Sequence, residues 1–211
     1  MSAPKPDDLP LPAIPAQRFA CAAMDMPWHW QARAATRNHH ISRSPQKHYP
    51  TMSIEAMRAI PMRDILLPDA HVFFWITGPL LIKGVHLDLF DAWGLRPSSL
   101  AFVWIKTKAS FDMKLLERTP LLENDLAMNL GFTTRQNAEF VVLGRRGNAS
   151  RLSASVRQVI VSPQREHSRK PEEFYRRVQH YCDGPRIDMF GGANRPGWTH
   201  WGYQHRESDA A

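Results

Sequence analysis

Phe19-Ala20-Cys21-Ala22-Ala23-Met24 runs without a charged side chain straight into Asp25-Met26-Pro27-Trp28. Six apolar residues ending at an acid and a proline read as a short buried strand followed by a stiff turn, because proline fixes φ. Outward from it, His71 to Thr77 is a continuous apolar run, the pattern of a strand covered on both faces. Ala101 to Lys106, Phe140 to Gly144, Val159 to Val161 and Arg186 to Phe190 are further strand candidates. Helical patterns lie between them. Leu81, Val85 and Leu89 repeat at i, i+4, i+8, and Gly94 stops that helix as a left-handed cap. Pro171 opens another at its first turn, with Glu172 and Glu173 at the positive end. Ser53 is the N-cap of a third over Ile54 to Ile60, with Glu55 in its first turn. Strands alternating with helices predict an α/β fold, a mostly parallel central sheet with helices on both faces. His29 to Met52 and Thr107 to Asn137 resist assignment. Both follow the C-terminal end of a strand, where such sheets place their ligands.

The chain has 211 residues, 43% hydrophobic and 22% charged, which excludes wholesale disorder. No apolar run reaches the 18 or more residues of a membrane span. Residues 1–17, with Pro4, Pro6, Pro10, Pro12 and Pro15, have neither the basic start nor the apolar centre of a signal peptide. They read as an extended, solvated lead-in to one domain over 18–205, with a flexible tail over 206–211; the expected location is the cytoplasm. Cys21 and Cys182 are too few and too far apart for a disulfide framework or a zinc site, so both are expected reduced and partly buried. No G-x-G-x-x-G follows any strand candidate, which argues against a dinucleotide-binding oxidoreductase.

The net charge of +7 is unevenly spread. Between Asp25 and Glu55 there is no acid, while Arg33, Arg37, Arg43 and Lys47 stand there with His39, His40 and His48. From Arg145 to Arg177 nine Lys or Arg residues face three Glu. Segregation of this kind suits phosphate contacts; solvated loops of ordinary composition would give it too.

The tetrad Asp25-Met26-Pro27-Trp28 has a specific chemical meaning. An adenine amino group is a poor nucleophile because its lone pair is delocalised into the ring. To attack a methyl carbon it needs acceptors for its two hydrogens. A carboxylate and a backbone carbonyl at a stiff turn supply them, and a neighbouring aromatic ring stacks on an extruded base. Asp25, the carbonyl of Met26 and the ring of Trp28, held by Pro27, match those places. Taken alone the tetrad fits equally a strand-ending turn with one buried Trp.

Further blocks decide between these. Met24-Asp25-Met26-Pro27-Trp28, His48-Tyr49-Pro50-Thr51-Met52-Ser53, Phe74-Trp75-Ile76-Thr77, Ala92-Trp93-Gly94 and Phe102-Val103-Trp104-Ile105-Lys106-Thr107 are followed by Thr134-Arg135-Gln136-Asn137-Ala138-Glu139-Phe140 and Gly144-Arg145-Arg146-Gly147. Then come Arg165-Glu166-His167-Ser168-Arg169-Lys170-Pro171, Asp188-Met189-Phe190, Arg195-Pro196-Gly197-Trp198 and Trp201-Gly202. In order and spacing, over about residues 18–204, the sequence resembles the adenine-N6 methyltransferase family of the eukaryotic mRNA adenosine methyltransferase catalytic subunit and its bacterial and phage DNA relatives. The resemblance implies a Rossmann-like, S-adenosylmethionine-dependent methyltransferase with Asp25, Met26, Pro27 and Trp28 as catalytic tetrad. Met26 stands where the family usually has proline.

For the cofactor the resemblance implies Asp25, Lys170, Phe190, Asn194 and Gln204. Lys170 suits the methionine carboxylate beside the helix opened by Pro171, and Gly191-Gly192 replaces the family's small residue and arginine. For the substrate it implies Lys106, Arg135 and Glu139, with Arg33, Arg37, Arg43, Lys47, His48 and Tyr49 from the basic loop; Glu139 either orients loop or substrate, or pairs with Arg135. Trp75, Trp93 and Trp104 lie in apolar runs and are expected in the core. No metal is expected, since methyl transfer needs none. The implied partner is nucleic acid, DNA favoured over RNA, with no membrane and with room for a homo- or heterodimer. The rival is a catalytically silent nucleic-acid-binding homologue or the partner subunit of an active enzyme.

The basic loop yields a direct test. Changing Arg33, Arg37 and Lys47 to Ala should flatten the dependence of nucleic-acid affinity on salt by roughly one unit of log–log slope for each phosphate no longer neutralised. Anisotropy titrations across salt concentrations measure it, and an unchanged slope means these side chains are merely solvated.

Overall fold

A computed structural model of the chain describes residues 11–28, 51–129, 131, 133–165, 169–191 and 194–202. Its strands are β1 (Phe19–Met24), β2 (Leu66–Ile76), β3 (Arg96–Thr107), β4 (Ala138–Arg146), β5 (Val159–Pro163), β6 (Arg186–Met189) and β7 (Thr199–Trp201). Its helices are α1 (Ile54–Arg58), α2 (Met62–Ile65), α3 (Gly78–Ile82), α4 (Val85–Trp93) and α5 (Glu172–Tyr181). The strands form one sheet in the order β5-β3-β4-β2-β1-β6-β7. β1 pairs in parallel with β2 and β6, β3 with β5, and β6 with β7. β4 alone runs against its neighbours β2 and β3. The C-terminal ends of the other six strands therefore share one edge of the sheet, and β4 begins at that edge. This is a Rossmann-like α/β fold.

Alternation along the strands feeds two cores. Ala22, Met24, Val72, Phe74 and Ile76 face Met57, Ile65, Leu89, Phe90 and Trp93 from α1, α2, α4 and their surroundings. Cys21, Ala23, Phe73, Trp75, Phe102 and Trp104 face Phe174, Tyr175 and Val178 of α5. Helices on both faces are why β1 and the second half of β2, Val72 to Ile76, read as unbroken apolar runs. Trp75, Trp93 and Trp104 are buried, as expected.

Several expectations need correction. The i, i+4, i+8 repeat is not one helix: Gly84 is left-handed at φ +70°, so Leu81 belongs to α3 while Val85 starts α4. Gly94 does cap α4, at φ +71°. Pro171 is the N-cap of α5 rather than a first-turn residue. Ser53 caps α1, its hydroxyl accepting from the Ala56 N–H at 3.1 Å. β2 starts five residues before His71, because exposed Pro68 and Asp69 interrupt an apolar pattern that the ladder does not need there. β7, three residues at the sheet edge, is too short for any periodicity. The lead-in is partly docked: Leu11 packs on the first core, and the Trp201 indole N–H lies 3.2 and 3.1 Å from the Pro12 and Ala13 carbonyls. Cys21 and Cys182 are free but wholly buried and in contact, and burial with the neighbouring thiol pushes the Cys21 pKa up. No helix among the described residues is long and apolar enough to cross a membrane.

The break between α3 and α4 can be checked. A Cβ at residue 84 has space but not the backbone conformation, so Gly84→Ala should lose about 1–2 kcal/mol in urea melts, and Gly84→Asn less.

Candidate active site

Asp25 follows the last residue of β1, and its N–H donates to the Met189 carbonyl at 3.0 Å, tying it to the end of β6. Phe190 continues from there in a left-handed conformation, φ 64°, unusual for a bulky residue; its N–H donates to the Trp201 carbonyl at 2.8 Å and its ring packs edge-on against Trp201. Gly191 passes so close to Asp188 that a Cβ there would lie 2.2 Å from both carboxylate oxygens. The turn after Asp25 is tight. The Trp28 N–H donates to the Met26 carbonyl at 2.9 Å across Pro27, and the Met52 N–H to the Pro27 carbonyl at 2.8 Å. Met26 is buried in the first core, and the half-buried Trp28 ring meets Phe74 edge-on at 5.7 Å.

Four charged side chains form a chain across this edge. Asp25 Oδ2 lies 3.0 Å from Lys170 Nζ, Lys170 Nζ 3.1 Å from Glu139 Oε2, and Glu139 Oε1 2.5 Å from Lys106 Nζ. Glu139 reaches the edge because β4 is reversed and starts there. Lys170 arrives just before α5. Both ammoniums also lie over indole faces, Lys170 at 5.3 Å from the Trp75 centroid and Lys106 at 4.6 Å from that of Trp104. Burial pushes the Asp25 pKa up, with Glu139 adding and Lys170 opposing. Burial would raise Glu139 too, but Lys170 and Lys106 outweigh it and hold the carboxyl at about 2. Desolvation works against the Lys170 charge, yet the two carboxylates raise its pKa.

Of the residues named from the sequence, Asp25, Lys106, Glu139 and Lys170 come together, with Met26, Pro27, Trp28 and Phe190 beside them. Glu139 pairs with the two lysines and not with Arg135, which is exposed. Lys106 is buried in that pair rather than presented to solvent. Asn194 is exposed on the loop between β6 and β7. Arg33, Arg37, Arg43, Lys47, His48, Tyr49 and Gln204 lie outside the described residues. A second buried network had no assigned role. Arg195 donates to Asp188 at 2.9 Å and to Glu172 at 3.0 Å, its guanidinium carbon sits 3.5 Å above the Tyr175 ring, and its N–H donates to His200 Nε2 at 2.8 Å. Burial raises Asp188 to about 7 despite Arg195. Asp188 and Arg195 fall in blocks that carry the resemblance, but scattered acids and bases give no spacing signal.

Residues 19–204 match the MT-A70 family. The chain belongs to the MT-A70 family. Among its relatives, the type II methyltransferase M.MunI of a Mycoplasma species is 23% identical over 94% of this chain and 83% of its own length. An N(6)-adenosine-methyltransferase MT-A70-like protein of Drosophila melanogaster is 29% identical over 74% of this chain and 24% of its own length. The N6-methyladenosine RNA methyltransferase MTA1 of Cryphonectria parasitica is 28% identical over 90% of this chain and 52% of its own. The chain thus spans most of the bacterial relative but only about a quarter to a half of these two eukaryotic ones.

The ion chain predicts a stability pattern. Lys170→Met should cost about 3–5 kcal/mol in urea melts, because it leaves the buried Asp25 carboxylate without its cation and Glu139 with Lys106 alone, and adding Asp25→Asn should recover much of it. Between about pH 4.5 and about 2 the unfolded chain protonates Glu139 before the folded one does, so stability should fall as pH drops through that window, and Glu139→Gln should flatten the fall.

Proposed function

We propose that this chain is an S-adenosylmethionine-dependent methyltransferase acting on adenine N6 in nucleic acid, with DNA the favoured substrate. The observation that carries the reading is the Asp25 carboxylate held by Lys170 at the strand edge, directly ahead of the Met26 carbonyl and Pro27. Asp25 accepts one hydrogen of the adenine amino group and the second lone pair of the Met26 carbonyl accepts the other. Both acceptors are fixed before substrate arrives, so the base is oriented without reorganising them. Asp25, already placed to accept from the amino group, takes up the proton that N6 loses and passes it to water.

The cofactor fits this edge. Gly191 lets the chain turn directly over the buried Asp188 carboxylate, beside the left-handed Phe190, so that backbone rather than a side chain would meet the adenosyl half of the cofactor. Phe190, Asn194 and Gln204 would hold that half and Lys170 the methionine carboxylate. The ion chain already balances two carboxylates against two ammoniums, so a ligand bringing charges of both signs adds ion pairs rather than a bare charge. Held there by Lys170, Phe190, Asn194 and Gln204, S-adenosylmethionine would supply a methyl group already activated by its sulfonium, with the neutral thioether as the leaving group. Arg135, with Arg33, Arg37, Arg43, Lys47, His48 and Tyr49, would face the nucleic acid, while Lys106 and Glu139 would act through the ion pair they form with each other. DNA is favoured because M.MunI, a type II methyltransferase by name, is matched over most of its length, the two eukaryotic relatives only in part.

Incubating the protein with methyl-labelled S-adenosylmethionine and single-stranded or duplex DNA or RNA, then identifying the modified nucleoside, tests the activity. Asp25→Asn should lower turnover on the order of 10²-fold or more while leaving the fold and most nucleic-acid affinity, by anisotropy, in place. Turnover within a few-fold of wild type removes Asp25 from the mechanism.

A further inference from the structure

Beyond Glu139, on the side away from Asp25, the same edge holds a cleft of about 200 Å³, bounded by Lys106, Asn129, Gln136, Glu139, Gln164 and Arg165. Backbone bonds fix its walls. The segment after β3 folds back on the strand, the Lys106 N–H donating to Asn137 and the Ala127 N–H to Lys106, each at 2.8 Å. Asn129 and Gln136 then face each other in an antiparallel bridge, and the Gln164 N–H donates to the Thr107 carbonyl at 2.9 Å. Asn129, Gln136 and Gln164 are all half-buried, and among the described residues none of their carboxamides has a hydrogen-bond partner.

Three carboxamides gathered at one cleft, each with a donor and an acceptor to satisfy, suit a ligand whose own edge alternates donors and acceptors. Asn and Gln pair in this way with nucleobase edges, bidentately where the fit is good. The volume is below the roughly 300–1,000 Å³ of pockets for drug-sized ligands, so it takes one ring system and not a whole nucleotide cofactor. Arg165, at the rim, adds the charge that a phosphodiester attracts. Glu139 is the common wall: one of its oxygens holds Lys106 at the cleft, and the other shares the Lys170 ammonium with Asp25. We infer that this cleft binds the nucleobase adjoining the methylated adenine and reads it through Asn129, Gln136 and Gln164. The inference rests on the proposed function and names where that activity selects its sequence.

Oligonucleotides with one central adenine and all sixteen combinations of bases on either side provide the test. Methyl transfer is measured as kcat/KM, and binding by anisotropy, for the full chain, Gln136→Ala and Gln164→Ala, with thermal melts to confirm folding. Wild type should prefer particular flanks, and each variant should lose about tenfold on the preferred flank while keeping its rate on the poorest one. A uniform loss across all sixteen would place the target adenine itself, or a purely structural role, in the cleft and overturn the inference, as would no change. If nothing is methylated, binding decides alone. Flank-dependent affinity that the variants flatten would uphold the cleft and overturn only the methyl-transfer reading; affinity indifferent to flank in wild type overturns the cleft.

Discussion

The ammonium of Lys170 lies between two carboxylates that the chain brings from distant places, Asp25 from the end of β1 and Glu139 from the start of β4. An unpaired ammonium so deeply buried would cost several kcal/mol, and each carboxylate alone would cost as much. Together they are tolerable, and only in this arrangement. The direction of β4 follows from it. Were β4 parallel to its neighbours, Glu139 would sit towards the opposite edge of the sheet, roughly 20 Å away for a strand of this length. The one reversed strand is therefore what delivers the second carboxylate to the edge where six other strands end.

The same geometry divides labour between the two acids. Glu139 has a cation on each oxygen and stays ionised down to about pH 2, so it is the permanent counter-ion of the lysines. Asp25 has burial and a like charge raising its pKa against one shared cation, so it is the carboxylate whose state responds to what binds beside it.

The strand at Phe19–Met24, the turn after it and the cap at Gly94 were legible because each has a local physical signature: continuous apolarity, a proline, a residue free of a Cβ. What was not legible is relational. Glu139 read either as orienting loop or substrate or as pairing with Arg135, four residues away, and its partners are instead lysines 33 and 31 residues away, because nothing local states that β4 is reversed. Charge density misled in a similar way. Arg146 donates to the Arg63 and Leu66 carbonyls, Arg177 to those of Arg157 and Val159, and Arg145 to that of Ala149. Much of the basic stretch 145–177 is thus spent on backbone carbonyls within the fold, whose demand for donors leaves no trace in composition. The carboxamides at the cleft were hidden for the opposite reason: Asn and Gln are ordinary in loops, and only the fold-back of the segment after β3 makes three of them neighbours.

Met26 shows how a site can keep its geometry while changing its means. A proline at this position would restrict φ and stiffen the turn through the covalent chain. Methionine gives up that restriction, but its side chain is 3% exposed and belongs to the core that also holds Met24, Met52 and Phe74. Its carbonyl is held from the other direction by the Trp28 N–H, and Pro27 is tied to Met52. Three separate constraints, packing below, a hydrogen bond across the turn and a bridge to the next segment, thus fix this carbonyl in place of a proline ring. A carbonyl oxygen has two lone pairs, so the bond to Trp28 leaves the second available to an amino group. The stiffness of this turn is consequently a property of the folded core rather than of the local chain, and it lasts only while the residues around Met26 stay packed.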